Sequence, residues 1–202
     1  MSTNAINETK RENSIHNIKS DLTYDIPDVI KRENKQEKDY TLVFCIRQNP
    51  ETNSKEVMLG MKKRGFGEGK YNGFGGKLEP NETVEEAAVR ELEEESGVIT
   101  KVNSLKKKGY LVFNMEKSNK LMKVHVYIVT EFTGTGIETD EMRPVWVDMN
   151  DMPTMYDKMW KDDPYWFHYI ISNKKFVGRF DYSSDDNITS YELKEVEVEV
   201  DT

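Results

Sequence analysis

Cysteine is nearly missing from this 202-residue chain: Cys45 stands alone, so no disulfide can form within it. That usage points to a reducing compartment, and Cys45 itself, inside an apolar run, reads as a small buried core residue. Long apolar runs are missing too. No stretch is long enough to span a membrane or to act as a signal peptide, so no membrane partner is expected. Positive charge is also in deficit, with 29 Lys and Arg against 37 Asp and Glu and a formal net charge of −8. A nucleic-acid polymer is therefore not expected as main partner, because such binders carry a basic patch. A small anionic substrate is compatible with this balance if a metal ion supplies the local positive charge. No internal repeat is visible. The expectation is a monomer in the cytoplasm, with a nuclear or mitochondrial fraction allowed.

What is present fits one domain with a tail. Hydrophobic residues make up 36% and charged residues 33%, enough for a single sizeable core. Residues 1–39 are rich in Asn, Lys, Glu and Asp and bury little, which predicts a disordered extension; their acidic residues argue against a transit peptide. The folded domain is expected over 40–202. Strands are predicted at TLVFCIRQ, EVMLGMKK, LKKKGYLVFNM, LMKVHVYIVTEF, VWVDM, KFVGRFDY and SYELKEVEVEV, and a helix at PYWFHYIISNKK with Pro164 in its first turn. Strands around two helices imply an α/β sandwich with a mixed sheet.

The stretch GFGGKLEPNETVEEAAVRELEEESGV, from Gly73 to Val98, contains a conflict. A helix from Thr83 to Ser96, turning about 100° per residue, gathers Val84, Ala87, Ala88 and Leu92 on one stripe. Thr83 and Glu86 form a capping box and Gly97 supplies the stop. Yet Glu91 and Glu95 fall inside the apolar stripe, and Glu94 lies on its edge. Arg90 is placed to orient Glu94 but lies across the wheel from Glu91 and Glu95, so it should not neutralise the cluster. Unpaired carboxylates facing a core are costly. Three of them converging without enough cation suit a hard divalent ion such as Mg²⁺ or Mn²⁺; a salt bridge from elsewhere in the chain is the plainer alternative.

With U a bulky aliphatic residue, the stretch reads G-x5-E-x7-R-E-U-x-E-E-x-G-U through Gly76, Glu82, Arg90, Glu91, Leu92, Glu94, Glu95, Gly97 and Val98. It resembles the Nudix box, the metal-binding loop–helix–loop of Nudix hydrolases. The resemblance implies the Nudix fold, an α/β/α sandwich around a mixed β-sheet. It also implies hydrolysis of a nucleoside diphosphate linked to another group. Glu91, Glu94, Glu95 and the Gly75 carbonyl would ligate Mg²⁺, for which Mn²⁺ could substitute, with Arg90 steadying the carboxylates. Gly75 and Gly76 would let the backbone approach the phosphates. Activation of the water stays shared between the box glutamates and Glu141.

Other segments narrow the resemblance. YTLV, GMKKRGFGEGKYNGFGGK, ETDEMRPVW and MWKDDPYWF look like the oxidised purine nucleoside triphosphatases related to MutT. By that likeness the chain would turn 8-oxo-dGTP and 2-hydroxy-dATP into monophosphate and pyrophosphate, clearing the nucleotide pool. Asn72, Asp162 and Asp163 would read the base edge, and Trp160 would stack on the purine. Phe66, Phe74, Phe113 and Met142 would form apolar walls. Thr41 and Lys62 would meet the sugar or phosphates, Glu141 would join the metal, and Lys77 and Lys161 complete the substrate-binding set. Plainer readings stand beside these: Asp162 and Asp163 as helix caps, Trp160, Phe66 and Phe113 as core. Lys161 departs from the family's usual Pro, Tyr71 from a Trp, and the loop from Asn49 to Lys55 is longer than usual. The rivals are Nudix hydrolysis of ADP-ribose, a dinucleoside polyphosphate or an inositol pyrophosphate, and a non-catalytic nucleotide-binding Nudix domain.

Overall fold

The alternation in β1 (Gln36–Gln48) sets the architecture. Leu42 and Phe44 turn to one face of the strand and Val43 and Cys45 to the other, and all four are buried in separate apolar clusters. A strand apolar on both sides must be covered on both sides. In the computed structural model, which describes residues 35–197, a helix lies on each face. Helix α1 (Val84–Ser96) contributes Ala88 and Leu92 to the Val43–Cys45 cluster. Helix α2 (Asp163–Ile171) contributes Trp166, Phe167 and Ile170 to the Leu42–Phe44 cluster.

The remaining strands are β2 (Lys55–Lys62), β3 (Tyr71–Asn72), β4 (Lys106–Met115), β5 (Lys120–Val129), β6 (Met142–Asp148), β7 (Lys175–Tyr182) and β8 (Ile188–Val196). They form one sheet in the order β3-β2-β1-β5-β4-β7-β8, with β6 on the other edge of β2. The pairs β1–β5 and β4–β7 are parallel and the others antiparallel, so the sheet is mixed, as expected.

One irregularity positions the site. β1 and β2 pair only where Cys45–Gln48 faces Lys55–Met58. Beyond that the strands part, and residues 71–77 enter the gap: Asn72 faces Gly60, Phe74 faces Val43 and Lys77 faces Tyr40. Gly75 makes the wedge possible. Its φ is 155°, and a Cβ there would stand 2.1 Å from the Thr41 carbonyl oxygen.

Some boundaries differ from expectation. β1 begins at Gln36 rather than after Tyr40, because its polar first turns pair with Lys120–Lys123 of β5. Most of the segment expected to be disordered, 1–34, lies outside the described residues, as does the end of the last expected strand, 198–200. β6 begins at Met142 because it pairs with Glu56–Lys62 of β2, where burial alternates too weakly to mark its start. The loop after Gln48 follows Thr41 by seven strand residues, roughly 23 Å at strand rise, and so lies away from the site.

The capping box forms as read: Glu86 N–H donates to Thr83 Oγ1 at 3.2 Å, Thr83 N–H donates to Glu86 Oε2 at 2.8 Å, and Gly97 ends α1 with φ 66°. Thr83→Ala should therefore cost about 1 kcal/mol. Urea unfolding should show a lower midpoint with an unchanged slope.

Candidate active site

Helix α1 buries Ala87, Ala88, Leu92 and, among them, Glu95, which is 4% exposed. Its carboxylate is not bare. Glu95 Oε2 accepts from Gly75 N–H at 2.9 Å, and Glu95 Oε1 lies 3.2 Å from Lys62 Nζ. The same ammonium is 3.5 Å from Glu141, which also pairs with Arg64 at 2.8 Å. Arg90 grips Glu82 with two donors, Nε at 2.8 Å and an Nη at 2.9 Å, and its other Nη reaches Glu91 at 3.0 Å and Glu94 at 3.1 Å.

This corrects the helical-wheel argument. Arg90 does meet Glu91, because a long guanidinium can bend to its sequence neighbour whatever the angle between their Cα–Cβ bonds. Lys62 supplies the second cation. Even so, negative charge remains in excess. Among the described residues, Glu82, Glu91, Glu94, Glu95 and Glu141 face only Lys62, Arg64 and Arg90, so ionised carboxylates outnumber cations by two. Lys63 and Glu138 pair separately at 2.8 Å. Burial, more than any other cause, pushes the carboxyls of Glu91 and Glu95 above the usual range, while Arg64 beside Glu141 holds that one below it. A set of hard oxygens short of two positive charges fits a divalent cation. No ready-made cage of three such ligands occurs among the described residues: Arg90 and Lys62 each draw carboxylates to themselves.

Backbone approach is built in. Gly76 faces Glu91 so closely that a Cβ would sit 2.5 Å from Oε1. Thr41 Oγ1 accepts from Gly76 N–H at 3.4 Å, and Lys77 gives its carbonyl to Arg90 at 3.2 Å.

A second group lies on the α2 side. The ring of Phe66, 71% exposed, lies 4.8 Å from that of Trp160. Lys70 Nζ stands 5.2 Å over the same indole and donates to Met159 O at 3.1 Å. Asp162 and Asp163 are both buried. Asp163 Oδ2 accepts from Trp160 N–H at 2.8 Å, while Asp162 accepts from Trp166 Nε1 at 2.8 Å and from Tyr182 OH at 2.6 Å. Neither side chain caps α2, so the capping alternative does not hold. Burial raises both carboxyls, and the neighbouring Asp162 helps to push Asp163 well up.

The structure brings together Lys62, Gly75, Gly76, Arg90, Glu91, Glu94, Glu95 and Glu141 in one group, with Thr41 and Lys77 beside them. Phe66, Trp160, Asp162 and Asp163 form the other, and Lys161 next to them donates to Asn187 at 2.7 Å. The loop between Lys62 and Lys70 links the groups, closed by Lys62 N–H donating to Lys70 O at 2.9 Å. Asn72 is half-buried and its side chain accepts from Gly73 N–H. Phe113 stacks on Phe180 on the α2 face. Phe74 and Met142 do not join these walls. Both are buried in the cluster under α1, because Phe74 faces Val43 and cross-strand partners share a face. Sequence reasoning missed Tyr182, Trp166 and Lys70, the first two lying in segments read only as a strand and a helix.

A family profile described as NUDIX domain matches residues 38–170, and the chain belongs to that family. Nudix hydrolases generally use divalent metal ions. The chain is 44% identical to the oxidized purine nucleoside triphosphate hydrolase of Mus musculus over 158 residues, covering 78% of this chain and 95% of that one. It is 46% identical to the enzyme of the same name from Danio rerio over 141 residues, 70% of this chain and 88% of that one. The fold resembles the crystal structure of a mutator MutT protein from Bacillus halodurans, with a TM-score of 0.64 at 23% identity, over 77% of this chain and 97% of that one. Among the described residues no helix is long and apolar enough to cross a membrane.

The raised carboxyl of Glu95 has a consequence for stability. The folded state holds this proton more tightly than the unfolded chain, so stability falls as pH rises from the ordinary carboxylate value through the raised one. Glu95→Gln removes that penalty, and Lys62 keeps Glu141 as a partner. The variant should melt above the wild type at pH 7, with the gain shrinking as pH is lowered through the carboxylate range. Thermal unfolding across that range checks the sign.

Proposed function

We propose that the chain hydrolyses oxidised purine nucleoside triphosphates such as 8-oxo-dGTP and 2-hydroxy-dATP to the monophosphate and pyrophosphate. The supporting observation is the joining, through one short loop, of an over-negative carboxylate cluster to a buried aspartate pair beside an indole. One end suits a metal-bound triphosphate and the other suits a base.

Glu91, Glu94, Glu95, Glu141 and the Gly75 carbonyl would hold Mg²⁺, with Mn²⁺ able to replace it; a bound divalent ion withdraws charge from phosphate oxygens and lowers the pKa of a ligated water. Arg90, gripping Glu82, keeps Glu91 and Glu94 turned towards the loop. Lys62 lies between Glu95 and Glu141, within reach of phosphate oxygens that arrive there. The backbone at Gly75 and Gly76, bare of side chains, lets a phosphate chain lie against it. Trp160 offers its ring to the purine while Asp162 and Asp163 read the polar edge, with Asn72 and Phe113 completing that end. Activation of the attacking water rests with the box glutamates and Glu141. The physiological role is clearing miscoding precursors from the nucleotide pool, by a monomer in the cytoplasm without a nucleic-acid or membrane partner.

Steady-state hydrolysis of 8-oxo-dGTP, 2-hydroxy-dATP and dGTP with Mg²⁺ tests the reading. The oxidised nucleotides should be preferred, and the products should be monophosphate and pyrophosphate. Chelation should abolish turnover, and Glu95→Gln should lower kcat at least a hundredfold, the scale of losing a group aimed at developing charge. Activity on none of the three substrates would refute it.

A further inference from the structure

Tyr182, on β7, lies outside every motif that pointed to the site, yet its hydroxyl makes the shortest hydrogen bond to the aspartate pair, 2.6 Å to Asp162 Oδ1. The other oxygen, Oδ2, accepts from Trp166 Nε1 at 2.8 Å. An indole N–H only donates, so Oδ2 must be an acceptor. Oδ1 must be one as well, since a proton there would leave the phenolic O–H without an acceptor among the described residues. Both oxygens of Asp162 are thus met by donors, which favours its ionised form. Asp163 differs. Its Oδ2 accepts from Trp160 N–H at 2.8 Å, while Oδ1 has no hydrogen-bond partner among the described residues. Two adjacent buried carboxyls resist joint ionisation, so the pair keeps one proton. It belongs where no donor competes for the place.

We propose, on the strength of the base-reading function above, that Tyr182 is a positioning residue for substrate choice: with Trp166 it saturates Asp162 and so fixes the shared proton on Asp163 Oδ1. That end of the site then presents a hydrogen-bond donor to the base, and it selects purines with an acceptor, an oxo group or a ring nitrogen, at the facing edge. The other ionisable groups around the pair are Lys70, over Trp160, and Tyr156, beside Asp163. Burial and the negative charge of Asp162 raise the phenol of Tyr182, which keeps it a donor across the working pH range.

Tyr182→Phe in the full chain deletes the O–H and keeps the ring. Carboxyl ¹³C shifts should show Asp163 neutral and Asp162 ionised in the wild type at pH 7, and the proton spread over both in the variant. Removing a donor from a carboxylate raises its proton affinity, so both limbs of the KM–pH profile for 8-oxo-dGTP should move to higher pH. KM at neutral pH should rise roughly tenfold to a hundredfold, the usual scale for one hydrogen bond to a charged group, with kcat changing less than twofold. Asp163→Asn keeps an acceptor for Trp160 N–H and a fixed donor for the base, so in that background Tyr182→Phe should leave KM unchanged. A neutral Asp162 in the wild type would overturn the proposal. So would a less stable Tyr182→Phe variant whose KM–pH profile superimposes on the wild type, or an equal rise of KM in the Asp163→Asn background. Failure of the wild type to prefer 8-oxo-dGTP over dGTP would count against the functional reading, whereas the carboxyl spectra locate the proton regardless of substrate.

Discussion

A carboxylate on the core-facing stripe of a helix must find donors inside the protein, and the burial of Glu95 is the constraint from which the local architecture follows. Its nearest donors cannot come from α1, whose N–H groups are spent on the helix. They come from a backbone amide, that of Gly75, and from Lys62 at the end of β2. To deliver the amide, β1 and β2 must part and residues 71–77 must enter the gap, so close to Thr41 that only glycine fits at position 75. The parted strands, the glycine-dense loop and the carboxylate on the core-facing stripe of its helix are one device. Each would be a defect without the other two.

The same loop fixes the relation between the two ends of the site. Lys62 at its start meets the carboxylates, and Lys70 at its close lies over Trp160. Between them Phe66 reaches back to the indole. Lys62 N–H and Lys70 O are bonded across the base of the loop. The carboxylate cluster and the aromatic group are tied together by covalent geometry over nine residues.

The carboxylate cluster was legible in the sequence because its signal is local: helical periodicity, a capping box and the glutamates at fixed spacing all lie within one continuous stretch. The run TLVFCIRQ likewise announced a strand, though not that both of its faces are covered. The group around Trp160 and the aspartate pair was legible only in its linear pieces. Phe74 and Met142 are placed among its walls by the family resemblance alone, but cross-strand register, which the sequence does not carry, turns them under α1. Tyr182 escaped for the complementary reason. Its partner Asp162 is 20 residues earlier, and nothing in an apolar strand distinguishes a tyrosine with a buried acceptor from one packed as plain core. Arg90 shows a third limit: a wheel describes where Cβ atoms point, whereas a guanidinium several bonds away answers to charge.

Glu95 and Asp162 show how one functional group is put to two uses. Both are buried, and each oxygen of both meets a donor. They differ in the charge of those donors. One donor to Glu95 is an ammonium, shared with Glu141, so positive charge belongs at that place even when it is only a lysine. Among the described residues neither aspartate has an ion pair; the donors to Asp162 are a phenol and an indole, both neutral. Neutral donors stabilise one negative charge but not two adjacent ones. A carboxylate cluster tied to cations can exchange them for a stronger cation, which is what binding a metal and a polyphosphate requires. A carboxyl pair with only neutral donors retains a proton, and a retained proton is a directional hydrogen-bond donor. The chemical division of the site thus follows from where the lysines and arginines are placed, and where they are withheld.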